Sequence, residues 1–365
     1  MLLPSMGGRA RSGRLAAVAI TLLLAGCTKI QARDLIREGN SLYNEGKFVE
    51  ALDKYDKAEE LEPDGVTMFW NRACAAEAQV LRMKEPGDKD QRRAFADRAL
   101  RDFQTWYDRL PTKSEDDETQ LANHRLAILK ADERCAELIT HWEEQHRLDP
   151  KKEPLYARLA SQYEECGQPE KQTYWLKKRT EDFPESVQAW HTLAVHTFTP
   201  LFPVAETGLP YNESVPPAER IRIADEVIKL LEKVTDIDPK FRDAYVWRSM
   251  ASTQRQHARQ LVENATEPKD RLENLLARED SMLAWKQQKA VCDLDELSEC
   301  PETMTAETPP CCPKAPLTAA DQAADAELKK QAEAELANPD LADEQGKGKG
   351  KRRGKGKGKN KGGNP

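Results

Sequence analysis

The sequence predicts an all-α protein made of about six antiparallel helical pairs stacked one after another. Apolar residues recur at three- and four-residue spacing, which is typical of amphipathic helices. Charged residues make up 33% of the chain and aromatic residues 6%, which suits helices with one buried stripe and one solvated face. Prolines that end the second helix of a pair recur 34 to 55 residues apart, as in helical repeats with insertions. They are Pro63, Pro111, Pro150, Pro184 and Pro239.

A 34-residue unit, residues 32–65, shows the pattern most clearly. Gly39 lies where the second helix of the unit must approach closely, and Gly46 marks the turn between the two helices. Pro63 ends the second helix because proline cannot continue one. The apolar residues of that helix recur every three or four positions: Phe48, Ala51, Leu52, Tyr55, Ala58 and Leu61.

This unit resembles the tetratricopeptide repeat, in which a helix with Leu-Gly and Tyr is followed by Ala-x3-Phe and a terminal Pro. Ala51-x3-Tyr55 and Pro63 fit this pattern, whereas Glu38 and Leu42 replace its Leu and Tyr. The resemblance implies a right-handed solenoid whose first helices line a groove for peptides or partner helices. The groove positions implied by the resemblance are Asn40, Tyr43, Trp70, Asn71, Ala157, His191 and Val195.

Some members of this family grip a peptide carboxylate with lysines and asparagines of the first two repeats. Asn40 and Asn71 match the asparagine positions. Ile36 stands where the first lysine would be, and Gln120 and His124 replace the later basic residues. Because a carboxylate grip needs these cations, we interpret the two asparagines as generic repeat residues.

Changes in composition predict five segments. An N-terminal signal segment covers residues 1–26, and a repeat solenoid covers 27–291. A Cys/Pro-rich segment follows at 292–316, and an Ala/Glu-rich stretch at 317–345 has helical composition. Residues 346–365 are rich in glycine and lysine, cannot bury a core and are expected to be disordered.

The largest insertion within the solenoid is Thr199–Pro217, which is proline-rich and carries several large apolar residues. A loop of this length either packs on the protein or binds a partner. We expect the packed loop, since most loops lie against the surface of their own domain.

The N-terminus has the layout of a bacterial export signal. Three arginines precede the apolar run Leu15–Leu24, which is too short to span a bilayer. Leu24-Ala25-Gly26-Cys27 then resembles a lipobox, which implies cleavage before Cys27, a diacylglycerol thioether on its sulfur and an acyl chain such as palmitate on its new amine. An ordinary secretory signal is the alternative. Thr28 stands where many inner-membrane lipoproteins have Asp, which favours the outer membrane facing the periplasm.

Charge is distributed unevenly along the chain. The net charge is −7, but residues 1–26 carry +3 and residues 346–365 carry +9, which leaves −19 for residues 27–345. An acidic body argues against nucleic acid as a partner of the solenoid. The basic tail either solubilises the protein or binds an anionic envelope polymer, such as peptidoglycan or lipopolysaccharide.

Four of the eight cysteines lie near the C-terminus, at Cys292, Cys300, Cys311 and Cys312. Their C-x7-C-x10-C-C spacing fits no common zinc motif. In an oxidising compartment we expect two bridges that join Cys292 and Cys300 to Cys311 and Cys312. A metal site is the alternative.

Three further cysteines lie in the repeats, at Cys74, Cys135 and Cys166. We expect them to be small buried hydrophobic residues. Cys135 and Cys166 fall at neighbouring helix ends, so a bridge between them is open, but it is not the favoured interpretation.

No catalytic or cofactor-binding motif is found in the sequence, which favours a protein that is not an enzyme and has no cofactor. The pairs His141/His146 and His191/His196 are five residues apart, whereas two ligands on one helix face need a spacing of three or four. They are therefore interpreted as ordinary surface or groove histidines.

The favoured function is a lipid-anchored adaptor or scaffold that binds an envelope protein through its groove, as in the assembly of an outer-membrane or secretion complex. One alternative is a polymer-binding protein that acts through the basic tail. Another is a redox or metal protein that uses the C-terminal cysteines. Binding with and without residues 346–365 separates the first two, and thiol counting tests the third.

Overall fold

The computed structural model describes residues 28–295 and 312–338. The export signal, Cys27, Cys300, Cys311 and the basic tail lie outside the described residues. All regular structure in the described ranges is helical, which confirms the predicted all-α class. The chain divides into two compact units, residues 1–167 and 168–365, and the division falls within the predicted fourth pair.

Unit 1 consists of helices joined by short turns, so that successive helices run antiparallel. Its described helices are α1 (28–44), α2 (Phe48–Leu61), α3 (Val66–Arg82), α4 (Lys89–Asp108), α5 (Glu115–Ala131), α6 (Cys135–Leu148) and α7 (Glu153–Glu165). These helices reproduce the predicted pairs, with α1, α3 and α5 as first helices and α2, α4 and α6 as second helices.

Unit 2 continues the same alternation and adds a terminal helix. Its described helices are α8 (Pro169–Asp182), α9 (Val187–Phe198), α10 (Pro217–Ile237), α11 (Arg242–Ala258), α12 (Pro268–Leu294) and α13 (Ala319–Ala337). α12 has 27 residues. No helix in the described part of the chain is long and apolar enough to cross a membrane.

The first pair folds as its sequence pattern predicts. Ala51, Leu52, Tyr55 and Ala58 form the buried stripe of α2. Gly46 adopts a positive φ of 74° in the turn after α1, a conformation that glycine reaches without steric cost. Small residues along the stripe allow α1 and α2 to pack closely.

A buried network of charged side chains ties the first two pairs together. The Arg72 guanidinium of α3 donates from Nε and Nη2 to the two carboxylate oxygens of Asp102 on α4, at 2.7 and 2.8 Å. It also pairs with Asp56 and Glu59 of α2. Such a bidentate pair has a single favourable geometry, so it fixes how the three helices sit against one another.

The long insertion packs on unit 2, as expected. Leu201 is fully buried in the core that α9, α10 and α11 form. The Phe202 ring packs edge-on against Phe198, at a centroid distance of 5.2 Å, and against Trp247, at 6.0 Å. The insertion also contains two short 3-10 helices, Thr199–Leu201 and Ala205–Thr207.

α13 lies along α12 and is held mainly by charged groups. Arg278 pairs with Asp325 at 3.0 Å, and Lys329 pairs with Glu279 at 2.7 Å. Ala332 is buried in the contact. The terminal helix therefore covers the last pair with a polar outer surface, as solenoid ends require.

Candidate functional site

The first helices of unit 1 present a continuous row of polar and aromatic side chains, which we call the first-helix face. It comprises Asn40 and Tyr43 of α1, Trp70, Asn71, Cys74 and Glu77 of α3, and His124 of α5. Two regions of this face have different chemistry, an amide region at Asn40 and a buried carboxyl region at Glu77.

In the amide region, the Asn71 Nδ2 group donates to Asn40 Oδ1 at 3.0 Å. The Tyr55 hydroxyl of α2 donates to the same oxygen at 2.7 Å. Asn40 is exposed and Asn71 is half-buried. The shared oxygen orients both asparagines, so their remaining amide groups can meet the backbone of a bound segment.

In the carboxyl region, Glu77 Oε2 lies 2.7 Å from Nδ1 of His124. Glu77 is only 8% exposed, and among the described residues His124 is its one hydrogen-bond partner. Burial raises the pKa of Glu77 above its ordinary value, and the nearby His124 offsets this only in part. A carboxyl group kept in such surroundings is more often functional than one on a solvated helix face.

Aromatic rings hold His124 in place. Phe103 stacks on the imidazole at a centroid distance of 4.5 Å, and Trp70 meets it edge-on at 5.1 Å. Trp70 also lies 4.5 Å from Trp106. The imidazole that faces Glu77 is therefore confined by ring packing.

Tyr43 and Cys74 complete the face between these two regions. Burial raises the pKa of the Cys74 thiol to about 12, with a further contribution from the charge of Glu77. Burial also raises the pKa of Tyr43. Both groups are neutral at physiological pH, and Cys74 lacks the thiolate that a nucleophile or metal ligand requires.

The structure brings four of the seven predicted groove residues together: Asn40, Tyr43, Trp70 and Asn71. Ala157 is half-buried on α7. His191 and Val195 are half-buried on α9 in unit 2, where the His191 ring lies 5.0 Å from Phe241.

Glu77 is not among the residues that the sequence predicts for the site. His124 is considered there only as a replacement for a missing basic residue. The available signal was an acidic residue within the apolar run of α3, flanked by alanines.

The other histidines have local roles. His146 packs edge-on against Tyr156 at a centroid distance of 4.7 Å. His196 Nε2 lies 2.7 Å from the Thr173 hydroxyl. Within the described ranges, no group of three or more His, Cys, Asp and Glu side chains is placed to hold a metal ion.

The interpretation of Cys135 and Cys166 as simple buried hydrophobic residues is wrong. The two form a disulfide between the start of α6 and the end of α7, with their Cα atoms 5.6 Å apart. The antiparallel packing of α6 and α7 brings these helix ends together, although they are 31 residues apart in the chain. Cys74 is a free thiol.

The C-terminal cysteines are described only in part. Cys292 and Cys312 are buried together, and Cys312 is disulfide-bonded. Cys300 and Cys311 lie outside the described residues, so the predicted pairing of the four cysteines stays a prediction.

No protein-family profile matches the chain, and no curated protein is significantly similar to it. Among solved structures, similarity is found to a TPR repeat-containing protein from Cytophaga hutchinsonii, with 13% identity, a TM-score of 0.32, and coverage of 72% of this chain and 96% of that one. The MamA protein has 13% identity, a TM-score of 0.26 and coverage of 73% and 92%. YrrB, described as a TPR protein with an unusual peptide-binding site, has 14% identity, a TM-score of 0.22 and coverage of 72% and 91%.

Structural similarity at TM-scores this low does not indicate a shared function. The repeat class follows instead from the helices of this chain, with their alternating first and second helices, buried alanine stripes and close approach at Gly39. They define an all-α protein built from successive antiparallel helical pairs, as in helical-repeat folds.

Proposed function

We propose that this chain is a lipid-anchored adaptor of the bacterial envelope that binds another envelope protein through the first-helix face of unit 1. The observation that carries this proposal is the buried Glu77 on a helix face that is otherwise amide and aromatic. Burying a carboxyl group opposes folding unless the group is well paired. Its single imidazole partner leaves one carboxylate oxygen available to a bound protein.

The chemistry of the face suits a short segment of a partner. Asn40 and Asn71 offer amide groups that pair with a peptide backbone, while Trp70 and Tyr43 offer apolar surface. No lysine or arginine belongs to the face as defined, so it is not suited to an acidic peptide. The carboxyl of Glu77 favours a partner group that donates hydrogen bonds.

Two observations support an anchored protein outside the cytoplasm. The described part of α1 starts at residue 28, next to Cys27, so a lipid on that cysteine would hold the first pair close to the headgroups. The Cys135–Cys166 disulfide suits an oxidising compartment. The face would thus be presented next to the membrane, where an assembly factor or scaffold meets its partner.

Site-specific photo-crosslinking in native envelopes tests the proposal. A photoreactive amino acid at Asn40, on the first-helix face, should capture one or a few discrete proteins. The matched control is Lys57, which is exposed on α2, the second helix of the same pair. Equal capture from Lys57, or none from Asn40, would argue against this face as the binding surface.

Substitutions on the same face give a second measure. Trp70→Ala and Glu77→Gln should reduce the captured product, because they remove the apolar surface and the carboxyl group. Lys57→Ala should leave the product unchanged. Circular dichroism of each variant separates loss of binding from loss of folding.

A further inference from the structure

Arg220, in the first turns of α10, is a buried cation that has no counter-ion among the described residues. It is only 5% exposed. Within the described residues no carboxylate pairs with it, and its Nε and Nη1 atoms are buried without a hydrogen-bond partner. A buried charge that is not paired is strongly unfavourable.

The buried Arg72 and the half-buried Arg255 are both paired. Arg72 donates two hydrogen bonds to Asp102 from one edge of its guanidinium. Arg255 pairs with Asp280 and, at 2.6 Å, with Asp225. Arg220 therefore departs from the pattern that the chain itself follows, which indicates that its partner comes from elsewhere.

The groups around Arg220 come from α11 and from the insertion. The Tyr211 ring covers the guanidinium, with its centroid 4.0 Å from Cζ. Gln254 of α11 donates from Nε2 to the carbonyl oxygen of Pro210 at 2.9 Å, while its Oε1 atom is buried without a partner. The His257 ring lies 6.0 Å from Tyr211. The unpaired donors of Arg220 and the unpaired acceptor of Gln254 thus lie under Pro210 and Tyr211, two adjacent residues of the insertion.

The covering segment, residues 205–212, lies between two positions that are anchored in the core of unit 2. On one side Leu201 is fully buried, and on the other Val215 packs against the core of unit 2. Between Leu201 and Val215, the Tyr211 ring covers Arg220, and the Pro210 carbonyl oxygen accepts from Gln254. Asn212 donates to the Pro200 carbonyl oxygen at 3.1 Å. Gly208 has a φ of 64°, a conformation suited to a pivot.

We propose that Arg220 and Gln254 form a second binding site, which takes a carboxylate group of a partner protein when residues 205–212 lift. The guanidinium donates charge-assisted hydrogen bonds to the carboxylate, with Nε and Nη1 as its unpaired donors. Gln254 Oε1 accepts an N–H group next to that carboxylate. In the closed state the Tyr211 ring covers the guanidinium, and the Pro210 carbonyl oxygen accepts from Nε2 of the same Gln254 amide. The site lies within unit 2 and does not depend on the first-helix face.

Ligand titration of a soluble form, residues 28–365, tests this site. The probe is N-acetyl-aspartate amide, and the matched control is N-acetyl-asparagine amide, which has the same shape without the charge. The aspartate probe should raise the unfolding midpoint in a saturable way, since a ligand that binds the folded state stabilises it. We expect the asparagine compound to bind at least about tenfold more weakly, because charge-assisted hydrogen bonds are the stronger ones. A response to inorganic phosphate but not to the aspartate probe would overturn the carboxylate assignment.

Three variants complete the test. Arg220→Met should abolish the response without lowering the midpoint in the absence of probe, because it removes an unpaired buried charge. Tyr211→Ala should bind the probe more tightly than the wild type, because the covering ring is gone. Arg255→Met, at a paired, half-buried arginine, should lower the midpoint but keep the response. A full response in Arg220→Met, or no gain in Tyr211→Ala, would overturn the proposal.

Discussion

The ring edge of Tyr55 occupies the space that a side chain on Gly39 would need. A Cβ atom at Gly39 would lie 2.5 Å from Cε1 of Tyr55, closer than such atoms approach in proteins. Gly39→Ala should therefore destabilise the first pair, by about 1–3 kcal/mol as for other overpacked sites. Hydrogen exchange should show the loss mainly in α1 and α2, because repeat proteins are stabilised by neighbouring contacts.

Gly87 provides a matched control for this prediction. Nothing lies within 4 Å of a Cβ at that position, and its φ is not positive. Gly87→Ala should leave stability nearly unchanged. An equal cost at both glycines, or a uniform loss of protection throughout the described helices, would contradict the close-approach explanation.

The Glu77–His124 pair predicts a dependence of stability on pH. Burial raises the pKa of Glu77 above its ordinary 4.5, and His124 lowers it again only in part. Between pH 4.5 and the raised pKa, the folded state keeps a proton that the unfolded chain has lost. The contribution of Glu77 to the free energy of unfolding therefore falls as pH rises through this window. Glu77→Gln, which cannot titrate, should lose less stability than the wild type over the same range.

Urea titrations from about pH 4 to 7 measure this difference. Glu60→Gln, at an exposed position on α2, is the control and should follow the wild-type curve. Parallel curves for wild type and Glu77→Gln would show that the buried carboxyl group does not titrate differently in the folded state.

The Cys135–Cys166 disulfide should stabilise α6 and α7. A bridge that closes a loop of this length contributes about 3–4 kcal/mol in the loop-entropy account. Cys166→Ser, or reduction of the wild type, should lower hydrogen-exchange protection in these two helices. Cys74→Ser, which removes a free thiol, is the control. Protection in α6 and α7 that does not respond to a reductant would mean that the bridge contributes nothing to their stability.

The anchor prediction concerns Cys27. Cys27→Ala cannot form the thioether, so the signal peptide of the variant should remain uncleaved. In detergent phase-partition assays the variant should no longer be found in the detergent phase. Cys74→Ala should behave as the wild type. A Cys27→Ala protein that is processed to the normal size and stays with membranes at high salt would rule out lipidation at this position.

The basic tail gives a separate prediction. With nine positive charges in residues 346–365, the form spanning residues 28–365 should sediment with purified anionic envelope polymer at low salt. Attraction to an anionic surface is worth about 1 kcal/mol per basic residue and fades with salt. The form spanning 28–345 should not sediment with the polymer. Equal binding by both forms would leave the tail as a passive appendage.

The sequence by itself determined the helical repeats. The close approach at Gly39, the stripe of α2 and the end of the pair at Pro63 all follow from rules that act within one or two turns of a helix. Helix ends were less well defined, since the apolar periodicity does not mark where α11 stops, at Ala258. The second-helix prolines located the pairs because proline acts on its own segment.

Only the tertiary structure decided the polar pairings. Glu77 and His124 are 47 residues apart, and Cys135 and Cys166 are 31 apart, so no local pattern connects them. The burial of Arg220 beneath Tyr211 likewise depends on how the insertion folds back over α10. Periodicity shows which face of a helix is buried. Which polar groups meet within that buried face depends on the contacts between helices, and those contacts exist only once the chain has folded.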